Sequence, residues 1–322
     1  MKIGIPTTLF WTYHASYWRK FFQLPNVETV LSEISNETTV LTGSRLLPHE
    51  FCLPMKVFMG HVVSLMEQKV DLILAPIMVS KNRRNFACPK LIGLTDIIKY
   101  TAGLSEKSLF APVIDCQGMH LRMLSLPQQR IASPRQLKAA ETQANRHWEQ
   151  TLRQCREARL TLPEILTGPQ FLAPTGGLAI GVLGYAYALY DPWISKGILN
   201  RLNALGVSVT TWEMLEPDRI GQCLQSFRPV LYWNFGKVIL GAGLHFLADP
   251  SLDGIIYVST FGCGPDSVIT GLLSIEADRR RKPLLIINLD EHSESIHLQT
   301  RLEAFTDMLS ERKEAAPKRA SS

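Results

Sequence analysis

The sequence predicts an α/β protein made of two doubly wound domains with mainly parallel sheets, facing each other across a cleft. Three observations predict it. Short β-branched runs alternate with amphipathic stretches of helical length, the pattern of strand–helix units around parallel sheets. The chain has 322 residues, more than one hydrophobic core usually serves. The two halves also echo one another. Ile3-Gly4-Ile5-Pro6, then Phe10-Trp11-Thr12-Tyr13 and Trp18, return as Ile180-Gly181-Val182-Leu183, then Tyr185-Ala186-Tyr187-Ala188-Leu189-Tyr190 and Trp193. Each set leads to a valine-rich segment, Val27-Glu28-Thr29-Val30 or Val207-Ser208-Val209-Thr210, as an internal repeat would.

In order along the chain, the first half is expected to hold strands at 2–5, 28–31, 71–75 and 121–124. A helix over 54–68 links the second to the third, and a charged helix over 134–158 closes the half. Glycine and proline between Leu166-Thr167-Gly168-Pro169 and Pro174-Thr175-Gly176-Gly177 mark a linker. Beyond it come strands at 179–183, 208–211, 254–259 and 284–289, with helices between them and a last helix over 300–309. The chain therefore divides into an N-terminal domain at 1–165, a linker at 166–177 and a C-terminal domain at 178–310. The polar, small-residue-rich segment 311–322 is expected to be a disordered tail.

Three cysteines stand just ahead of a proline that can open a helix: Cys52-Leu53-Pro54, Cys88-Pro89 and Cys263-Gly264-Pro265. At a helix N-terminus the unpaired N–H groups and the dipole favour the thiolate. Cys88 and Cys263 also follow strands, at the sheet end where doubly wound folds bind ligands. A right-handed crossover would bring Cys52 to the same side. Three soft thiolates from dispersed positions suit a [4Fe–4S] cluster with one iron left open. Zinc is the next reading, although the paired spacing of structural zinc sites is lacking. A third reading keeps the thiols as buried small hydrophobes in a metal-free binding protein. Cys116, Cys155 and Cys223, within a loop and two helical patterns, are expected to be unliganded.

Composition narrows the function classes. The net charge is +5, and the basic runs Lys81-Asn82-Arg83-Arg84 and Arg279-Arg280-Arg281-Lys282 carry no interleaved aromatics, so no nucleic-acid partner is expected. No apolar run reaches the ~20 residues of a membrane helix, and no membrane partner is expected. The opening Met1-Lys2-Ile3-Gly4-Ile5-Pro6 reads as a strand and not as a leader, so a cytoplasmic location is the expectation. There, six cysteines do not suggest a disulfide framework.

At these same residues the chain resembles the activase-related proteins of the 2-hydroxyacyl-CoA dehydratase (benzoyl-CoA reductase/dehydratase D-component) superfamily. The resemblance rests on Glu50-x-Cys52-x-Pro54-x-Lys56 with Gly60-His61, on Cys88-Pro89-Lys90, and on Phe261-Gly262-Cys263-Gly264-Pro265-Asp266-Ser267. Asp290-Glu291-His292 and Thr300-Arg301-Leu302-Glu303-Ala304-Phe305 complete it. It implies a pair of flavodoxin-like halves, an iron–sulfur cluster on Cys52, Cys88 and Cys263, and an ATP-dependent activase as electron donor. An acyl-CoA substrate and a homodimer or related subunit are further implied partners. The rival class is a non-catalytic electron-relay subunit. No phosphate loop is present in the sequence, so ATP binding is not expected of this chain.

Other candidates surround these motifs. Glu50 could orient a ligand or act as an acid or base. Asp290, Glu291 and His292 directly follow the strand at 284–289, and are expected to be catalytic groups or hydrogen-bonding partners of the cluster ligands. His61 reads as a core or interface histidine. Asp266 and Ser267 read as caps of the helix after Cys263, and Tyr185, Tyr187 and Tyr190 as packing residues near the cleft.

Overall fold

The computed structural model describes residues 1–79, 86–117, 120–125, 131–169, 177–225, 227 and 231–315. The strands among them are β1 (Lys2–Ile5), β2 (Glu28–Leu31), β3 (Leu72–Leu74), β4 (Ile77–Val79), β5 (Leu109–Phe110), β6 (Val113–Gln117), β7 (His120–Ser125), β8 (Ala179–Gly184), β9 (Ser208–Thr211), β10 (Gly254–Thr260) and β11 (Leu284–Leu289). The helices of the first half are α1 (Phe10–Phe21), α2 (Glu37–Leu46), α3 (Leu53–Glu67), α4 (Pro89–Ile92), α5 (Leu94–Ala102), α6 (Pro134–Ala158) and α7 (Leu162–Thr167). Those of the second are α8 (Ala186–Tyr190), α9 (Ile198–Ala204), α10 (Pro217–Gln225), α11 (Asn234–Ala248), α12 (Gly264–Arg280) and α13 (Ser295–Ala315).

The two halves share one topology. The first sheet runs β2-β1-β3-β5 and the second β9-β8-β10-β11, and every pairing in both is parallel. In each, the chain starts at an inner strand, steps out to one edge, then returns past the start, which is the flavodoxin-like doubly wound order. The register fits buried strands: β10 is buried along its whole length, between β8 and β11. The main hydrophobic core runs through both halves, from Ile3 and Phe58 to Ile256 and Leu302, beside a small cluster of Val40, Leu53, Val57 and Ile194.

The fourth strand of the first sheet is β5, not the expected segment 121–124. Pro76 follows β3 and Pro112 follows β5, and a proline cannot donate to the ladder. Beyond these two breaks the chain re-pairs as a separate sheet, β4-β6-β7, in which β7 is antiparallel to β6. The apolar run at 121–124 lies in that small sheet. The last helix continues through Ala315, five residues into the segment expected to be a disordered tail. Residues 316–322, the run Lys81-Asn82-Arg83-Arg84 and most of the expected linker (170–176) lie outside the described residues.

Two features position the site. Helices α2 and α3 cross at two glycines: a Cβ on Gly43 would stand 1.7 Å from the Lys56 carbonyl oxygen, and one on Gly60 1.9 Å from that of Thr39. The backbones are therefore in direct contact, which fixes α3. Helix α6 bridges the halves. Its Trp148 packs edge-on to Tyr13 of α1, while Arg156 pairs with Glu216 at 3.2 Å and Arg159, just beyond its end, donates to Thr210 at 2.8 Å.

Candidate functional site

Each of the three singled-out cysteines is the residue that caps a helix start. Cys52 precedes α3, Cys88 precedes α4 and Cys263 precedes α12, each in extended backbone with a proline in the first turn behind it. Cys52 and Cys88 belong to the first half and Cys263 to the second. All three line one cavity of about 480 Å3, at the carboxyl ends of the strands where the halves face each other.

The fold brings the loops together by specific contacts. Gly262 has φ +79°, a conformation that L side chains rarely adopt, and a Cβ there would lie 3.1 Å from the Cys52 Cα. The absent side chain lets the loop of the second half touch that of the first. The Cys88 loop is held across the cleft by Phe86, whose N–H donates to the Tyr232 carbonyl at 2.5 Å and whose carbonyl accepts from Asn234 at 3.0 Å. Lys90 folds back over the Phe51 ring at 5.1 Å and donates to the Glu50 carbonyl at 3.3 Å.

The lining is dominated by aromatic and aliphatic side chains, among them Phe10, Tyr13, Tyr185, Trp212, Trp233 and Ile239. Lys90 is the cationic side chain among its described residues, and no carboxylate lines it. In this dry setting burial raises the Cys52 thiol pKa, opposed by the Lys90 charge and the Met55 N–H and reinforced by the neighbouring Cys88. Cys263 is likewise driven up, first by burial and then by Asp266, with Cys52 adding to the effect and a Tyr187 hydrogen bond opposing it. The expectation that helix N-termini hold these thiols as thiolates is therefore corrected for Cys52 and Cys263. The N–H groups do face them, but desolvation outweighs the dipole. Cys88 adds to the effect at Cys52, and Cys52 to that at Cys263, in keeping with the one cavity that all three line.

His14 also lines the cavity, at a kink in α1 (φ −108°, ψ 23°). Burial lowers its pKa to about 3, against a hydrogen bond to the Phe10 backbone, so it presents a neutral imidazole. Sequence reasoning missed this residue, because a histidine inside an aromatic helix carries no motif. Asp266 is buried, accepts from Tyr257 Oη at 2.6 Å, and has its pKa raised by burial to about 7. It therefore does more than cap α12. The Ser267 hydroxyl bonds back to the Cys263 carbonyl at 3.1 Å.

The other candidates lie elsewhere. Glu50 is exposed and does not line the cavity. Asp290 closes a turn, accepting from the His292 N–H at 2.9 Å and from Ser293 Oγ at 2.8 Å, and His292 is exposed. Glu291 accepts twice from Lys56 Nζ, at 3.1 and 2.8 Å, tying α3 to the end of β11. His61 sits in a buried network across the halves. Its Nε2 is 2.8 Å from Ser35 Oγ, which donates to Asp191 Oδ2 at 2.6 Å, where Thr8 also donates at 2.7 Å. With the Ser35 proton committed to Asp191, His61 Nε2 is the donor. Burial lowers the His61 pKa to about 4. Cys155 and Cys223, in α6 and α10, do not line the cavity; the side chain of Cys116 lies outside the described residues. Of the second basic run, Arg279 and Arg280 pair with Glu276, and Lys282 donates to the Asp249 and Leu252 carbonyls.

Among the described residues, no group of three His, Cys, Asp or Glu side chains stands close enough to hold one metal ion. No helix of the described chain is long and apolar enough to cross a membrane.

Fold and site thus define an α/β protein with two doubly wound parallel sheets, a small third sheet, and a three-thiol cavity between its halves. A family model described as "CoA enzyme activase uncharacterised domain" matches residues 2–215, two-thirds of the chain, and the chain belongs to that family. Cys52 and Cys88 fall within the matched span and Cys263 beyond it. Among curated proteins none matches. The apo-structure of D-lactate dehydrogenase from Escherichia coli aligns over 98% of this chain and 97% of that one, at 14% identity. Its TM-score of 0.21 gives that likeness no weight here.

Proposed function

We propose that this chain is an iron–sulfur protein related to the 2-hydroxyacyl-CoA dehydratases, taking low-potential electrons from an ATP-dependent activase. The observation that carries this reading is the convergence of Cys52, Cys88 and Cys263, from three separate helix starts, on one apolar cavity. Cysteine thiols are the donor type such a cluster takes, and a cuboidal cluster would place one of these three on each of three irons. When bound, such a cluster supplies one-electron chemistry and one iron open to an external ligand.

The chain's own residues would hold and insulate that group. Desolvation of Cys52 and Cys263 disfavours their free thiolates, so their protons must leave as a metal arrives. The Tyr187 hydroxyl and the Met55 N–H stabilise negative charge on the sulfurs. Aromatic walls exclude water from the electron's path. An acyl-CoA is the substrate class we infer for the space that remains. A second reading, an electron-relay subunit without substrate chemistry, is favoured by one observation: Glu50, Asp290, Glu291 and His292 do not line the cavity.

Anaerobic expression followed by iron and sulfide analysis tests the cluster. About four of each per chain are expected for [4Fe–4S]. Cys52→Ala, Cys88→Ala and Cys263→Ala should each abolish them, and Cys155→Ala and Cys223→Ala should not. A wild-type protein without sulfide refutes the proposal. Substrate-dependent turnover with an activase and reductant separates enzyme from relay.

A further inference from the structure

Among the described residues lining the three-cysteine cavity, Lys90 is the one cation, and there is no carboxylate to pair with it. Lys56 does not line that space and is tied to Glu291 at 2.8 Å, while His14 lines it as a neutral imidazole. The Lys90 ammonium donates to the Glu50 carbonyl at 3.3 Å and rests 5.1 Å from the centre of the Phe51 ring. Glu50 and Phe51 lead directly into Cys52, whereas Lys90 stands two residues after Cys88. One side chain therefore tethers the loop that carries Cys88 to the loop that carries Cys52. The same contacts hold the ammonium beside the start of α3, the positive end of that helix, where a cation is disfavoured. A negative neighbour offsets that cost, and the cavity supplies thiols for it. Burial raises the Cys52 thiol pKa, and the Lys90 charge is the largest effect that opposes it.

We propose that Lys90 is a positioning residue of the cysteine site, which fixes the Cys52 and Cys88 loops side by side and sets its positive charge against the Cys52 thiolate. This role holds for the free thiols, whatever group occupies the cavity. A second consequence rests on the iron–sulfur reading. A fixed cation near a thiolate-held cluster favours its reduced, more negative state, because net charge is one of the terms that set a cluster's potential.

The test is alkylation of a full-length chain that keeps Cys52 and carries serine at its other cysteines, using iodoacetate and its uncharged isostere iodoacetamide. With either reagent the Cys52 thiolate displaces iodide and becomes a thioether. The ratio of the two rates therefore reports the charge around the sulfur and cancels the fraction of thiolate. Lys90→Met keeps the length of the stem and should lower the iodoacetate-to-iodoacetamide ratio about fivefold at low salt. Lys90→Arg should retain most of the wild-type ratio, as a merely structural role would not require. Salt at about 1 M should erode the ratio in wild type and leave it nearly unchanged in Lys90→Met. Unfolding would instead raise both rates, and Lys90→Gln, at the same half-buried position, repeats the measurement if Lys90→Met proves unstable. Where iron and sulfide load, a redox titration read by electron paramagnetic resonance should place Lys90→Met lower. The expected shift is a tenfold change in the reduced-to-oxidised ratio, about 59 mV for one electron. An unshifted potential overturns that second consequence. A changed alkylation ratio in a protein without sulfide supports the role of Lys90 and refutes the cluster. Equal ratios in wild type, Lys90→Met and Lys90→Gln overturn the role of Lys90, whether or not a cluster is bound.

Discussion

Replacing Gly60 by alanine should loosen the protein at the helix that begins with Cys52. The added Cβ would lie 1.9 Å from the Thr39 carbonyl oxygen, whereas ordinary contact begins near 3.4 Å. Helices α2 and α3 would have to part by about 1.5 Å, and a radial gap of even 0.5–1 Å forfeits a quarter to a half of the dispersion attraction. The clash is with backbone, so no rotamer change relieves it. Alanine gains about 1 kcal/mol of helix propensity over glycine. Overpacking costs about 1–3 kcal/mol, with backbone clashes at the upper end. A net loss of about 2 kcal/mol is expected, measured as a lower urea midpoint at unchanged m-value. The shift of α3 should also make Cys52 react faster with a thiol reagent, read in a chain whose other cysteines are replaced by serine. A Gly60→Ala protein as stable as wild type, with unaltered Cys52 reactivity, would refute the contact between these backbones.

Further outcomes follow from other buried groups. Glu213 is fully buried and its carboxyl is raised from 4.5 to about 8 by burial, so the folded state holds a proton that the unfolded state releases. The stability linked to that proton is complete below pH 4.5 and lost as the pH rises to about 8. Glu213→Gln should therefore gain on wild type by a few kcal/mol between pH 5 and 8, seen in urea midpoints at the two pH values. Glu291→Ala strands Lys56, whose side chain is 5% exposed. It should cost about 1–3 kcal/mol, less than a fully buried pair because Glu291 is partly exposed, and Lys56→Met should restore much of the loss. Asp191→Ala removes the acceptor of the Thr8 and Ser35 hydroxyls and of the Trp193 and Ile194 N–H groups. A loss of about 3–5 kcal/mol in chemical denaturation is expected.

The sequence made the parallel sheets readable because fully buried strands such as β8 and β10 are short apolar runs between turn signals. It made the three cysteines readable through the prolines behind them, since a proline in the first turn announces a helix start whatever the tertiary structure. The strand at 109–110 was hidden, because two residues between turns carry no periodicity and the break at Pro112 is visible only once the pairing is known. The placement of the run at Asp290 was unreadable for a related reason. A polar run at a strand end suggests chemistry, but whether it points into a cleft or closes a turn depends on packing. The thiol protonation was misjudged because a dipole is local in sequence and desolvation is not. His14 was invisible for the same cause: its meaning comes from a kink.

The division of the three thiols between the halves sets an order on assembly. A chain emerging from the ribosome presents Cys52 and Cys88 together with the whole first sheet, long before Cys263 and α12 have been made. Any ligand that requires all three sulfurs can be captured only after the last quarter of the chain has been synthesised and its second sheet has closed on the first. The incomplete chain therefore exposes two cysteines that the finished molecule turns inward, and oxidants meet them during that interval.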